Sequence, residues 1–276
     1  MKLYQPLPNS PMAIAHSLWR HRQLVWQMSK REVLGRYRGS MVGLAWSFFN
    51  PIFMLLVYTF VFSVVFEARW GQDVAGGRGS FAIILFAGLV VHSLFAECVN
   101  RAPTLVLNNA SYVKKVVFPL EILPWTTLIS AFFHAAISIL VLLVAELALM
   151  GGIPWTVLLL PVVLAPFVIS IMGISWLLAS LGVYLRDVAQ ITGVITTVLL
   201  FMSPVFYPLS RLPEKFQAWL LLNPLTFIIE QTRQVLVFGN LPDWGGLLVY
   251  SVAACLLAWL GFAWFQKSRG GFADVL

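Results

Sequence analysis

The chain has 276 residues, of which 60% are hydrophobic and only 11% are charged, and its formal net charge is +7. Soluble domains carry about 25% charged residues and roughly 45–50% apolar ones, so this chain has too little polar surface to cover a water-soluble fold of its size. These figures exclude a disordered chain, a secreted disulfide scaffold and an ordinary soluble enzyme, and they indicate an integral membrane protein.

The first 40 residues form a basic segment that precedes the first long apolar run. In this segment the apolar residues fall near one helical face, Trp19 and Trp26 flank that face, and most basic residues lie elsewhere. A basic helix with tryptophan at its polar–apolar boundary is typical of the membrane surface. We therefore predict that residues 1–40 are a cytoplasmic amphipathic interface segment. Its charges either only fix the orientation of the chain or also dock a protein partner.

Six apolar runs are candidate membrane spans, because a helix needs about 20 apolar residues to cross the bilayer. The predicted spans are Met41–Phe66, Ser80–Ala96 with a continuation past Arg101, Ile122–Ala145, Trp155–Leu185, Val188–Tyr207 and Trp244–Gln266. In the second span Glu97 and Arg101 are four residues apart and can neutralise each other. We expect Pro161 and Pro166 to tilt or kink the fourth span. The sequence thus predicts an all-α membrane protein with a six-span domain over 41–266 and a cytoplasmic tail over 267–276.

The stretch from Ser203 to Gly239 does not read as a span. Its apolar run, Phe216–Ile229, is too short to cross and has Asn223 and Pro224 in its middle. Such a length suits a re-entrant segment, which is tolerated at membrane depth only where protein or a water-filled cavity covers it. We predict broken, re-entrant helices over 203–239.

The orientation follows from Lys and Arg, which are enriched on the cytoplasmic side of membrane proteins. With six spans and the N-terminus inside, most of the 18 Lys and Arg residues lie on the inner side. The exceptions are Arg69, Arg78, Arg211, Lys215 and Arg233. A seven-span arrangement separates the charges almost as well, so the shortness of the 216–229 run decides for six. Both termini are therefore predicted to be cytoplasmic.

The sequence contains no catalytic or metal-binding constellation. It lacks a GxxxxGK[ST] phosphate loop, and its four His residues do not cluster with Cys, Asp or Glu at metal-ligand spacing. His92 and His134 lie inside predicted spans, where each is either a functional candidate or a hydrogen-bonded packing residue. Carboxylates that could relay protons are scarce. A transporter with this sequence must take its energy from a partner.

Three motifs, in order along the chain, resemble the polysaccharide-export permeases of the type-2 ABC exporters. Residues 36–51 (RYRGSMVGLAWSFFNP) open the first span, and residues 114–124 (KKVVFPLEILP) are similar to the cytoplasmic coupling segment of these permeases. Residues 202–210 (MSPVFYPLS), with 222–225 and Glu230, are similar to their gate region. The likeness covers nearly the whole chain and points first to the permeases that export lipopolysaccharide O-antigen.

The resemblance implies a transporter permease rather than an enzyme, with no catalytic residue. Two copies would form a channel in the bacterial inner membrane, and two separate ATPase subunits would dock beneath it. ATP and Mg would bind in those partner subunits, and this chain would bind no cofactor or metal. The complex would move an undecaprenyl-linked polysaccharide across the inner membrane. Teichoic acid and capsule are the alternative substrates, and nucleic acid is not an expected partner.

The resemblance also assigns residues to an ATPase-coupling group and to an outer gate. The coupling group, mostly in the cytoplasmic loop 101–124, comprises Tyr112, Lys114, Lys115, Phe118, Pro119, Leu120, Glu121, Arg36, Tyr37, Arg38, Arg186 and Asp187. The gate comprises Pro204, Phe206, Tyr207, Pro208, Asn223 and Pro224.

Aromatic side chains are candidates for a channel lining, because aromatic faces stack on sugar C–H surfaces without requiring one sequence of sugars. The candidates are Trp46, Phe49, Phe53, Tyr58, Trp176 and Phe201. Lipid contact or an interfacial aromatic belt is the alternative for each.

Two other functions are weaker alternatives. One is a drug-export permease of the same superfamily. The other is a membrane enzyme that acts on a lipid-linked sugar, which would need converging acidic or His residues at one membrane face.

Overall fold

The computed structural model of the chain describes residues 11–66, 80–115, 118–209, 213–221 and 223–276. Over these ranges all regular structure is helical and no strand occurs, which confirms the predicted all-α class. The α-helices are α1 (Pro11–Arg20), α2 (Arg22–Arg36), α3 (Trp46–Tyr58), α4 (Ser80–Arg101), α5 (Ala110–Lys115), α6 (Leu123–Met150), α7 (Leu160–Tyr184), α8 (Val188–Phe201), α9 (Glu214–Leu221), α10 (Pro224–Arg233), α11 (Trp244–Ser268) and α12 (Phe272–Val275).

Five helical stretches in the described part of the chain are long and apolar enough to cross a membrane. They are Gly43–Phe62, Ser80–Thr104, Leu120–Met150, Trp155–Tyr184 and Trp244–Val275. These stretches coincide with the first four predicted spans and the last one. The predicted fifth span is shorter than expected, because α8 has 14 residues and ends at Phe201. The chain is therefore a multi-pass membrane protein.

Helix α4 lies at the centre of the fold. In the most apolar 18 residues of its span, 78% of the residues are buried. Helix α4 packs against α6, α7, α8 and α10. By contrast, only 17% of the residues are buried in the equivalent stretch of the first span, which contains α3, and 28% in that of the last span, which contains α11. Exposed apolar surface of this extent faces lipid or another protein chain. The chain thus buries its second span and leaves its first span largely uncovered.

Helices α7 and α11 pack along each other through glycine. A Cβ atom added to Gly173 of α7 would lie 2.6 Å from the Leu257 carbonyl oxygen of α11, and one added to Gly261 would overlap the Gly173 backbone. Small residues allow such close approach between membrane helices. Pro166 lies inside α7, whereas Pro161 lies in its first turn, where proline is tolerated. Only Pro166 is therefore placed to kink this helix.

Candidate functional site

A cavity of about 900 Å³ lies between α2, α3, α4 and α6. Small polar side chains from three of these helices and aromatic rings line its walls. The small polar residues are Ser47, Asn50, Ser93, Asn100, Ser130 and Ser138. Ser130, His134 and Ser138 follow one another at intervals of four, so they share one face of α6. Ionisable groups within membrane helices are costly and mark a functional site by default, and this cavity contains several.

Five ionisable side chains converge on the cavity and form an ion cluster. Its members are Glu32, Arg36, Glu97, Arg101 and His134. The Arg36 Nη1 donates to Glu97 Oε1 at 2.6 Å and lies 3.0 Å from His134 Nδ1. Arg101 forms an ion pair with Glu32 and a longer one, at 3.5 Å, with Glu97. Two partly exposed guanidinium groups and two mostly buried carboxylates thus neutralise each other.

The predicted pairing of Glu97 with Arg101 is confirmed, but each residue also has a partner on α2. Glu97 pairs with Arg36 and Arg101 with Glu32, across 61 and 69 positions of sequence. Helical spacing reveals only the pair four residues apart, so it missed both long-range partners. Within the described residues, no three His, Cys, Asp or Glu side chains are grouped so that they could hold a metal ion.

The residues of the first motif lie beside this cavity. Arg36 and Tyr37 line it, and the Tyr37 ring packs edge-on against His134 with centroids 6.1 Å apart. Burial raises the pKa of the Tyr37 phenol above its usual value. Arg38 is exposed. Of these three predicted coupling residues, two are thus engaged with α4 and α6.

Much of the coupling group in the 101–124 loop is internal. Tyr112 and Phe118 stack with ring centroids 4.5 Å apart, and Pro119, Leu120 and Glu121 are buried. In the single chain these last three side chains are not presented to a partner subunit, and their contact with an ATPase stays a prediction. They fix the segment to the membrane domain instead.

The remaining predicted coupling residues are Lys114, Lys115, Arg186 and Asp187. Residues 116 and 117 and the side chains of Lys114 and Lys115 lie outside the described part of the chain. Arg186 and Asp187 form an exposed turn between α7 and α8. This turn is open to a contact with another protein.

Most of the aromatic residues predicted to line a channel are on the surface of the chain. The exposed ones are Trp46, Phe49, Phe53 and Phe201. Tyr58 is half-buried and lines the cavity. Trp176 is only 1% exposed; its ring packs against Trp125 and Phe262, and its Nε1 donates to the Glu121 carbonyl oxygen at 3.0 Å. The ring thus fills the core between α6 and α11, so a place on a channel wall would require a rearrangement that exposes it.

The predicted gate residues lie in a folded-back stretch whose described residues form short helices and turns rather than one continuous helix. The Asn223 Nδ2 donates to Ser203 Oγ at 2.8 Å, and its Oδ1 accepts from the Leu225 backbone N–H at 3.0 Å. This side chain therefore both caps α10 and ties it to the turn after α8. Pro204 is buried in that turn. The remaining gate residues, which are partly or fully exposed, are Phe206, Tyr207, Pro208 and Pro224.

Sequence reasoning missed Arg233, which it counted only as a charge on the outer side. Its side chain is fully buried, and the guanidinium donates to the backbone carbonyls of Ile84 (3.0 Å), Pro204 (2.5 Å) and Val205 (3.0 Å). It also pairs with Glu230 at 2.9 Å. Arg233 thus joins α10 to α4 and to the turn after α8. Its spacing of three from Glu230 on a helix was the only signal in the sequence.

The chain is similar in sequence to known export and transport proteins. Over 265 residues the chain is 27% identical to the O-antigen export system permease protein RfbA of Myxococcus xanthus, covering 95% of this chain and 99% of the relative. It is 24% identical over 251 residues to a Klebsiella pneumoniae protein of the same name, and the match covers 90% of this chain and 93% of that protein. It is 22% identical over 246 residues to the polysialic acid transport protein KpsM of Escherichia coli, and the match covers 86% of this chain and 90% of KpsM.

The family match covers the site and most of the chain. Residues 23–237 match the family described as ABC-2 type transporter. This range contains the four helices around the cavity, the coupling segment and nearly all of the folded-back stretch. The chain belongs to the ABC-2 type transporter family.

Proposed function

We propose that this chain is the membrane permease of an ATP-driven exporter that moves an undecaprenyl-linked polysaccharide across the bacterial inner membrane. The observation that carries the proposal is the likeness to export permeases over nearly the full length of both chains. O-antigen is the first candidate substrate, because it is named for the relatives with the higher identities. A capsular polymer is the second, since the similar KpsM protein transports polysialic acid. Membership of a transporter family favours export over a membrane enzyme.

Two copies of the chain form the channel in this proposal. The first span supports it, because its aromatic outer face is uncovered while its other side borders the polar cavity. A polar cavity next to lipid is expensive, and a second copy over α3 shields it. The exposed Phe201 of α8, which this contact leaves uncovered, then lines a path along which sugar rings slide.

The chain is oriented with both termini in the cytoplasm and uses α8 as part of a sixth span. The distribution of Lys and Arg supports this orientation. The interface segment and the coupling segment then face an ATPase dimer, which binds ATP and Mg. The folded-back stretch over 203–239 lies at the outer mouth as the gate.

The test is export by the purified permease–ATPase complex in sealed vesicles whose outer side corresponds to the cytoplasm. Lipid-linked polysaccharide labelled on its sugars is added with ATP, and its transfer into the lumen is measured by protection from a glycosidase. ATP hydrolysis and transfer should both depend on this chain. A control ATPase subunit with its phosphate-loop lysine replaced should support neither. Transfer that proceeds equally without ATP would overturn the proposal.

The same assay separates the two substrates. Vesicles are supplied in parallel with lipid-linked O-antigen and with lipid-linked polysialic acid. Preferential transfer of the O-antigen favours the O-antigen assignment, and preferential transfer of the polysialic acid favours the capsular one.

A further inference from the structure

The tail that follows the last span meets the coupling segment at a buried ion pair. The Arg269 Nη1 donates to Glu121 Oε2 at 2.6 Å, and its Nη2 donates to the Phe118 carbonyl oxygen at 2.7 Å. The Arg269 side chain is 9% exposed and that of Glu121 is 2% exposed. A planar guanidinium presents its donors in a rigid fork, so it fixes direction as well as distance. Arg269 therefore holds the segment from Phe118 to Glu121 at both of its ends.

Two more contacts fix the same glutamate. The Ser17 hydroxyl of α1 donates to Glu121 Oε1 at 3.1 Å, and the Trp176 indole of α7 donates to the Glu121 backbone carbonyl at 3.0 Å. Three separate elements thus converge on one residue of the coupling segment. We call this group (Ser17, Phe118, Glu121, Trp176 and Arg269) the Glu121 junction.

The tail is itself fixed to α7. The Tyr184 hydroxyl donates to the Ser268 carbonyl at 2.7 Å, and the hydroxyls of Ser180 and Ser268 are 2.6 Å apart. Phe272 is fully buried, with its ring 5.9 Å from that of Tyr184. Because α7 and α11 also meet through glycine, the two helices and the tail form one packed unit.

We propose that Arg269 is a positioning residue that locks the coupling segment to the α7–α11 unit. The inference rests on the proposed function, because it takes the coupling segment as the part that an ATPase moves. Apolar side chains can slide past one another, whereas a buried ion pair cannot separate without exposing two charges to a low-dielectric interior. Movement of the segment is therefore passed to α7 and α11 together. The tail, which looks like a mere terminus in the sequence, is part of the coupling machinery.

The test compares R269Q with K267Q in the permease–ATPase complex reconstituted in vesicles. Lys267 is exposed near the end of α11, so K267Q removes the same charge without touching the junction. R269Q should co-purify with the ATPase and hydrolyse ATP, while polysaccharide transferred per ATP falls at least about tenfold relative to K267Q. R269K keeps the charge but loses the fork and should fall between the two. E121Q and the double variant E121Q/R269Q should match R269Q, because the two groups act as one pair.

Equal transfer per ATP in R269Q and K267Q would overturn the inference. The inference would also be overturned if complex yield, ATP hydrolysis and polysaccharide transfer all fell by the same factor in R269Q, because that pattern indicates a purely structural role. If R269Q cannot be purified, R269K is compared with K267Q instead. Equal polysaccharide transfer per ATP in R269K and K267Q then contradicts the proposed lock. A wild-type complex that transfers no polysaccharide with ATP refutes the proposed function instead.

Discussion

At the scale of single residues, buried charges determine how this membrane domain is held together. Arg233 satisfies three backbone carbonyls that come from two distant parts of the chain. In an apolar interior a carbonyl without a hydrogen-bond donor raises the free energy of the folded state. One side chain therefore supports the turn after α8 and the start of α4 at the same time.

Replacing Arg233 with alanine should destabilise the folded protein strongly. The variant leaves the carbonyls of Ile84, Pro204 and Val205 without this donor, and we expect a loss of about 3–5 kcal/mol in the free energy of unfolding. Thermal unfolding in detergent measures it. The matched control is R186A, which removes an exposed arginine and should melt like the wild type. Equal melting temperatures for the two variants would contradict this account.

A second residue-scale prediction concerns the ion cluster. E97Q keeps the size of the side chain but removes the charge that Arg36 and Arg101 share. We expect the free energy of unfolding to fall by about 1–3 kcal/mol, whereas D187N, at an exposed aspartate, should leave it unchanged. Chemical unfolding of both variants in the same detergent is the measurement. No difference between them would mean that the cluster contributes nothing to stability.

The sequence predicts charges well only where their partners are close along the chain. Glu97 and Arg101 could be paired from helical spacing, but Arg36 and Glu32 could not. For the aromatic residues, an apolar run gives no information about which side of a helix faces the core. Trp176 and Trp46 look alike in the sequence, yet one is buried beside Glu121 and the other is half exposed.

At the scale of elements, the spans follow from hydrophobic length, and their ends follow from contacts. The predicted spans coincide with five long helices because a charge-free run of this length has no other stable conformation in lipid. The early end of α8 could not be derived in the same way. The turn after Phe201 depends on Asn223 and Arg233, which are far along the chain.

The close contact between α7 and α11 gives an element-scale prediction. In G173A the new methyl group meets backbone atoms of Leu257 and Ala258 at 2.6–2.7 Å, and backbone cannot move aside as a flexible side chain can. We expect a loss of about 1–3 kcal/mol in stability from this overpacking. G193A on α8 is the control, because nothing lies within 4 Å of its added methyl group. Unfolding by SDS titration compares the two, and equal midpoints would show that the helices are free to separate.

At the scale of the whole molecule, the uncovered first span is the feature on which the proposed dimer rests. Leu56 on α3 is 63% exposed and Leu248 on α11 is 70% exposed. Exposure alone therefore does not show which of the two helices contacts a second protein chain and which contacts lipid. The polar cavity behind α3 does distinguish them, because only that side needs shielding from lipid.

Cross-linking in membranes tests this assembly. In a C98A/C255A background, L56C should form a cross-linked dimer with a short bifunctional thiol reagent, whereas L248C should not. The proposed dimer places two copies of α3 at a closed two-fold interface and leaves α11 against lipid. Dimers in L248C and none in L56C would move the interface to the last span.

The burial of Arg233 also has a consequence for how the chain is made. The backbone carbonyls of Ile84, Pro204 and Val205, to which its guanidinium donates, all precede it in the sequence. Synthesis proceeds from the N-terminus, so the earlier helices enter the membrane while this donor is still inside the ribosome. The folded-back stretch can therefore close only after residue 233 has emerged, which makes it a late step of biogenesis. A nascent chain arrested before that residue should expose the 203–209 turn to protease, and a chain arrested after α11 should protect it.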